Sequence, residues 1–329
     1  DEPTTALTAK EVERLFEIIL KLKERGIAVI LVNHKIEEVY NIAERLTILR
    51  NGKNIADGPI REFNKKRFIE CMTGREIEEN RYTPENNENA KELLHIEGFT
   101  REGSFKDVSF TIRENDILGI TGLLGSGRGE IGEALFGISP ANSGKIRIGG
   151  KKVKIRSVKN AMDNGIGYVP EDRLTQGLFL EQSIGMNMMI AAIRKYRKRF
   201  AVNHSRMHAD MYRWIDEINI AAPSPEPMIR TLSGGNQQKV VLAKWLNSEP
   251  KILILNGPTV GVDVGSKSDI HNILRELAQK GIGIIIISDD LPELVQNCNR
   301  IIVMKKGMIS AVLETDDIDE ERLSISLRG

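Results

Sequence analysis

Two short strings in this chain have the residue types and spacing to hold an anion. The first, Gly122-Leu123-Leu124-Gly125-Ser126-Gly127-Arg128-Gly129, follows an apolar run over 116–121 that reads as a strand. Its glycines let backbone N–H groups turn inward around phosphate oxygens, and a helix expected over 130–136 offers its positive end. The spacing is that of a phosphate-binding loop, G-x-x-x-x-G-K-[ST], with Arg128 for the lysine and Gly129 for the hydroxyl residue. In an intact loop the lysine reaches the β- and γ-phosphates and the hydroxyl holds Mg²⁺. Here the cradle is kept and the hydroxyl is lost, and a guanidinium is not equivalent to an ammonium. On spacing alone, the string also reads as an ordinary glycine-rich turn. The second string, Leu232-Ser233-Gly234-Gly235-Asn236-Gln237-Gln238-Lys239, precedes a helix carrying Val240, Val241, Ala243 and Leu246. Ser233 suits an N-cap, and Gly234 and Gly235 leave the first N–H groups open at the positive end of the dipole. The plain alternative is a capped helix with no ligand.

The elements that must position these strings are set out by an internal repeat. Asp1-Glu2-Pro3-Thr4 aligns with Asn256-Gly257-Pro258-Thr259, and the same 255-residue offset pairs Gly26 with Gly281, His34 with Asp289 and Gly52 with Gly307. Each copy has a Pro-Thr turn, an amphipathic helix and then a β-branched run. In the first copy Thr8 and Glu11 have capping-box spacing, and Val12, Leu15, Phe16, Ile19 and Leu22 follow at helical intervals up to Gly26. In the second, Ser266 leads into Ile270, Ile273, Leu274 and Leu277, ending at Gly281. The runs over 27–32 and 282–287 are expected as strands buried on both faces of a parallel sheet, which makes the fold α/β. The Asn- and Glu-rich stretch over 78–92 reads as a linker. The expected organisation is therefore a domain tail over 1–77 and a complete domain over 93–329.

Composition narrows the function classes. Lys plus Arg number 47 against 46 Asp plus Glu, so no global field draws the chain to nucleic acid or an acidic membrane. No apolar run approaches the roughly 20 residues needed to span a bilayer. Cys71 and Cys298 fit no metal or redox spacing, lie in sequence that reads as helix, and are expected to be free thiols of a cytosolic protein. The opening residues contain no Met and are expected to lie inside a motif. The basic run over 194–199 reads as a solvated face, with anionic lipid a minor alternative. His204 and His208, four apart, lack a third ligand of recognised spacing and read as surface residues.

The octapeptide from Leu232 to Lys239 resembles the signature motif of ATP-binding-cassette (ABC) ATPases. Its form is similar to that of the tandem ATPase subunits of bacterial simple-sugar importers, the ribose, galactose and xylose type. The strings 122–128, Tyr168-Val169-Pro170-Glu171-Asp172-Arg173 and Gly261-Val262-Asp263-Val264-Gly265 extend the resemblance over nearly the whole chain. It implies a P-loop NTPase fold of the ABC type, with a mainly parallel core sheet, an antiparallel β subdomain and a helical signature subdomain. It implies ATP and Mg²⁺ as ligands. Membrane permease subunits would be direct partners, and a periplasmic or lipoprotein sugar-binding protein an indirect one. Nucleic acid is not expected, and the location would be peripheral on the cytoplasmic face of the cell membrane. Glu171 falls at the Q-loop position, and about 177–187 corresponds to the permease-facing region. Phe105 lies near where the family stacks adenine, though a core Phe fits equally. Asp1 and Glu2 resemble the end of a first Walker B strand, Asp1 holding Mg²⁺ and Glu2 acting on the attacking water. His34 resembles the switch histidine.

The second copy departs from this pattern. Asn256 replaces the Walker B Asp, Gly257 the catalytic Glu, and Asp289 stands where the family usually has Ser. Arg128 is usual in the family, whereas Gly129 is not. In the family, nucleotide-binding domains pair head to tail, and each ATP lies between one P-loop and the other domain's signature. One composite site would then take Asp1, Glu2 and His34 from the first domain and Ser233, Gly234, Gly235 and Asp263 from the second. The other would use Gly122, Gly125, Ser126, Gly127, Arg128, Gly129, Asn256, Gly257 and Asp289, and is expected to be degenerate. The expectation is an energy-coupling subunit whose present stretch is not hydrolytic by itself. A pseudoenzyme scaffold is the alternative. A soluble tandem ABC ATPase of translation fits less well, because those carry a long charged helical linker and keep both sites intact.

Overall fold

Residues 252–256, 283–287 and 117–122 are almost wholly apolar or glycine, and such runs need a sheet with both faces covered. A computed structural model describes every residue except Glu2, Thr5, Ala6, Thr8, His34, Asn51, Arg75, 77–80, 85–89, Arg199, Phe200 and Gly329. The chain forms two units, one of residues 1–78 with 263–268 and one of 79–262 with 269–329.

In the second unit a six-stranded sheet runs in the order Met308–Glu314, Arg300–Lys305, Ile117–Gly122, Gly283–Ile287, Ile252–Asn256, Ile166–Val169. All neighbours are parallel except the first pair. Ile117–Gly122 and Gly283–Ile287 are buried throughout, whereas the edge strand Met308–Glu314 alternates between exposed and half-buried residues. The register sets Ile287 beside both Ile120 and Asn256. The loops that leave these strands, beginning at residues 123, 257 and 288, therefore emerge side by side at the carboxyl edge. That is where open α/β sheets bind ligands.

A second sheet is antiparallel, in the order Phe105–Arg113, Glu92–Arg101, Ser143–Ile148, Lys151–Val153. Its inner residues Leu94, Ile96, Val108 and Ile112 are buried. Phe105 belongs to this core too, stacked on Phe99 with centroids 5.4 Å apart. Helices Ile184–Met189, His204–Glu217 and Gly234–Leu246 form a helical layer. The fold is thus the α/β architecture expected, with its parallel core, antiparallel subdomain and helical part.

In the first unit, helices Ala9–Glu24, Ile36–Ile42 and Lys65–Thr73 accompany a hairpin of Arg45–Arg50 and Lys53–Pro59 around Val39, Leu46, Ile48, Phe63 and Phe68. Each element has a counterpart 255 residues on: Val264–Gln279, Leu291–Asn297, Arg300–Lys305, Met308–Glu314 and Glu320–Arg328. The repeat therefore extends past Gly52, through the last helix. Gly52 and Gly307 both have positive φ, 73° and 77°, at the hairpin turns.

Several expectations are corrected. Residues 27–32 form no strand, and Ile30 is 92% exposed. A strand exists only by pairing. The counterpart Gly283–Ile287 is held between Ile117–Gly122 and Ile252–Asn256, and no described strand takes those places beside 27–32. Cys298 is not helical; it lies just past Leu291–Asn297 with extended backbone, buried. The helix expected from 130 begins at Arg128, and the one expected near Ser266 begins at Val264. Within the basic run Tyr196 is buried, its hydroxyl lying 2.8 Å from an Asp210 carboxylate oxygen and 2.9 Å from the Asn247 amide oxygen. No helix among the described residues is long and apolar enough to cross a membrane.

Candidate nucleotide-binding site

The glycine-rich string leaves the buried strand Ile117–Gly122 and closes on the helix Arg128–Phe136. Gly125 and Gly127 take φ of +77° and +91°, a region L side chains avoid. Close approach makes two glycines irreplaceable. A Cβ at Gly122 would lie 2.6 Å from the Met304 carbonyl oxygen, and one at Gly127 2.6 Å from that of Ser104. Ser126 Oγ and Thr121 Oγ1 are buried without a hydrogen-bond partner. The loop is a phosphate cradle in backbone terms, ending at a nine-residue helix whose first N–H groups have no intrahelical partner.

Its arginine is already engaged. Arg128 Nη1 donates to the Gly122 carbonyl at 2.6 Å, and Nη2 forms an ion pair with Asp289 Oδ2 at 3.0 Å. Asp289 follows the strand Gly283–Ile287, so the pair joins two of the loops that emerge together. Asn256, at the end of Ile252–Asn256, is hydrogen-bonded to Tyr168. Burial pushes the Tyr168 hydroxyl up to about 12, against the smaller opposing effect of that bond. A Cβ at Gly129 would stand 3.6 Å from Asn256 Nδ2, ordinary contact, so a side chain fits there. Gly257 differs: its φ is +58°, and a Cβ would meet Val260 at 2.9 Å and Glu171 at 3.2 Å. The phosphate part of the site fits a nucleotide. The metal part does not fit Mg²⁺, a hard cation that takes carboxylate and hydroxyl oxygens, because residue 129 has no side-chain oxygen and residue 256 is a neutral amide.

Ser233, Gly234 and Gly235 open the helix Gly234–Leu246. Ser233 stands at the N-cap without capping the backbone; its Oγ accepts instead from Asn236 Nδ2 at 3.0 Å. Sequence reasoning missed Arg173, whose guanidinium donates to the carbonyls of Val260 at 2.7 Å and Gly261 at 2.9 Å. It also fills the space a Cβ on Gly234 would need, at 2.6 Å. Only its place two residues after Glu171 hinted at a role; the carbonyls it binds are 87 and 88 residues away. Glu171 itself is exposed. Asp263 Oδ1 accepts from the Ser266 N–H at 3.0 Å, at the start of the helix Val264–Gln279. Also missed was Glu293, buried, which accepts from Thr259 at 2.7 Å and Ser288 at 2.6 Å and contacts His271 Nε2 at 2.8 Å. Asp1 is exposed, and Glu2 and His34 lie outside the described residues. No group of three His, Cys, Asp or Glu among the described residues is arranged to hold a metal. His208 instead meets Glu226 at 3.3 Å and the Tyr212 ring.

A glycine cradle and a separate glycine-led helix start, carried by a mixed sheet with an antiparallel partner, define an ATP-binding cassette. The chain matches the ABC transporter family over residues 105–260 and belongs to the ABC transporter ATPases. It is 40% identical to the ribose import ATP-binding protein RbsA of Geobacillus kaustophilus, over 100% of this chain and 66% of that protein. It is 41% identical to the galactose/methyl galactoside import ATP-binding protein MglA of Salmonella typhimurium, over 96% of this chain and 63% of that protein. The chain thus spans just under two thirds of the length of these curated relatives. A nucleotide-free ATP-binding cassette from an ABC transporter shares the fold, with a TM-score of 0.61 at 23% identity. That match covers 72% of this chain and 96% of the other.

Proposed function

We propose that this chain is part of the energy-coupling ATPase of a carbohydrate importer, with one hydrolytic and one degenerate nucleotide site. The observation that carries the reading is the Arg128–Asp289 ion pair, which puts a carboxylate on the cradle's own arginine. Gly129, Asn256 and Gly257 lack the metal and base groups of the same site, and a general base contributes roughly 10²–10⁴-fold. The groups that would be lent to the other site, Ser233, Gly234, Gly235 and Asp263, are retained. In this reading they meet the nucleotide opposite Asp1, Glu2 and His34, where Asp1 holds Mg²⁺ and Glu2 orients the attacking water for in-line displacement at the γ-phosphate. The names of the relatives support ribose- or galactose-type sugars as imported cargo. In this reading membrane permease subunits are the partners, with a sugar-binding protein delivering substrate. The location is then peripheral, on the cytoplasmic face. Head-to-tail pairing of the nucleotide-binding domains completes each site. For the second unit alone, the same ion pair favours a second reading, a scaffold that only presents its signature helix.

No G-x-x-x-x-G-K-[ST] string occurs in the 329 residues, so the purified chain is expected to bind ATP weakly, without dependence on Mg²⁺, and to show no turnover. Mg²⁺-dependent hydrolysis by this chain that Glu2→Gln abolishes would sink the reading.

A further inference from the structure

A carboxylate stands in the first unit at the position of the second unit's buried Glu293, tied to the two corresponding positions at the same offset. In the second unit Glu293 accepts from Thr259 Oγ1 and from Ser288 Oγ, and Ser288 Oγ in turn accepts from the N–H of Asp290 at 3.1 Å. In the first, Glu38 Oε2 accepts from Thr4 Oγ1 at 2.6 Å and from Asn33 Nδ2 at 2.7 Å. Asn33 Oδ1 accepts from the N–H of Lys35 at 2.9 Å. Each of the four positions is 255 residues from its counterpart. Ser and Asn differ in length and chemistry, yet both place one polar atom on the carboxylate and one acceptor on the backbone two residues on. The carboxylate is the constant part. In both units it ties a Pro-Thr turn to the loop that follows on the repeat. In the second unit that loop carries Asp289, which reaches Arg128.

We propose that Glu38 is a positioning residue for ATP hydrolysis, pinning the turn that follows Glu2 to the loop that carries His34. This rests on the reading above that Glu2 and His34 serve the hydrolytic site. Three features suit Glu38 to the task. Thr4 is buried, so its hydroxyl has few alternatives to Glu38. Lys35 Nζ adds an ion pair to Oε1 at 3.1 Å and donates to the Thr4 carbonyl at 3.3 Å, so both carboxylate oxygens are held. Burial acts to raise the Glu38 carboxyl pKa, but hydrogen bonds from Thr4, Asn33 and Lys35 outweigh it and keep the group ionised.

The test is steady-state ATPase activity of the intact transporter ATPase that carries this chain, purified with its permease. Misplacing a reacting group by about 1 Å costs on the order of 10²-fold. Glu38→Ala should therefore lower kcat by about that factor, with KM for ATP within about twofold. Glu38→Gln keeps an oxygen that accepts from Thr4 and Asn33 and should recover most of kcat. Adding Thr4→Val to Glu38→Ala should cost nothing more. An unchanged kcat in Glu38→Ala overturns the proposal. So does a parallel loss of kcat, KM and melting temperature that Glu38→Gln does not rescue, since that marks a merely structural role. Glu2→Gln run alongside separates the two readings. If it leaves turnover intact, the hydrolytic-site reading fails; if it abolishes turnover while Glu38→Ala does not, only the positioning role fails.

Discussion

At the residue scale, the second unit has kept its phosphate cradle and placed an internal anion beside it. Arg128 is mostly buried and donates to both Gly122 and Asp289, and a bound nucleotide phosphate would have to compete with the Asp289 carboxylate. Exposed ion pairs contribute little, about 0–1 kcal/mol, but a carboxylate near phosphate oxygens adds repulsion to that competition. Asp289→Ser should therefore tighten ATP binding about five- to tenfold, or roughly 1–1.4 kcal/mol, by calorimetric titration of the chain. An unchanged or weaker affinity removes Asp289 from the account. The other positions of the proposed degenerate site divide by geometry. Position 129 has room for a side chain, whereas at 257 the backbone takes a conformation that costs an L residue about 1–2 kcal/mol. A side chain at 257 is therefore disfavoured by the backbone, and one at 129 is not.

At the element scale, Arg173 joins three segments that the sequence keeps far apart. It begins the π-turn Arg173–Gly177, whose entry Asp172 caps by accepting from Leu174 and Thr175. Its two terminal nitrogens reach the turn at Val260 and Gly261, where Gly261 has φ +66°. The guanidinium plane then leaves just enough room for Gly234, the first residue of the signature helix. A planar fork suits two adjacent carbonyls, and a lysine ammonium cannot reproduce it. Hydrogen bonds from a charged group contribute about 1.5–3 kcal/mol. Arg173→Ala is thus expected to lower the unfolding free energy by about 2 kcal/mol, and Arg173→Lys to restore less than half of that. Denaturant melts of the three proteins decide it. Equal midpoints would show that the tie is dispensable.

At the scale of the whole molecule, the parts legible in the sequence were those fixed by local pattern. The β-branched runs at 252–256 and 283–287 became buried parallel strands because each had neighbours on both sides. The equally apolar run at 27–32 did not, because strand formation depends on partners that no local pattern reports. Glycine spacing located the cradle and the signature helix, but the ties of Arg128, Arg173 and Glu293 join distant residues and had no sequence signal. Lys244 belongs to this hidden class. It sits on a helix buried on nearly every side, donates to the Gly177 carbonyl at 2.5 Å and lies over the Trp245 ring. Burial lowers its pKa to about 8, from an ordinary value of 10.5. Between those two values the unfolded chain binds the proton more tightly than the native one, so deprotonation favours the fold. The stability this group contributes is present above about pH 10.5 and lost as pH falls through about 8. Other groups titrate in the same range, so the informative quantity is the unfolding free energy of the native protein minus that of Lys244→Met. That difference should be flat below pH 8 and rise by about 3 kcal/mol on going to pH 10.5, whatever constant offset the lost bond to Gly177 introduces. A difference that stays level or falls across that window would mean that Lys244 is solvated in the native state and that this helix is less tightly enclosed than its packing indicates.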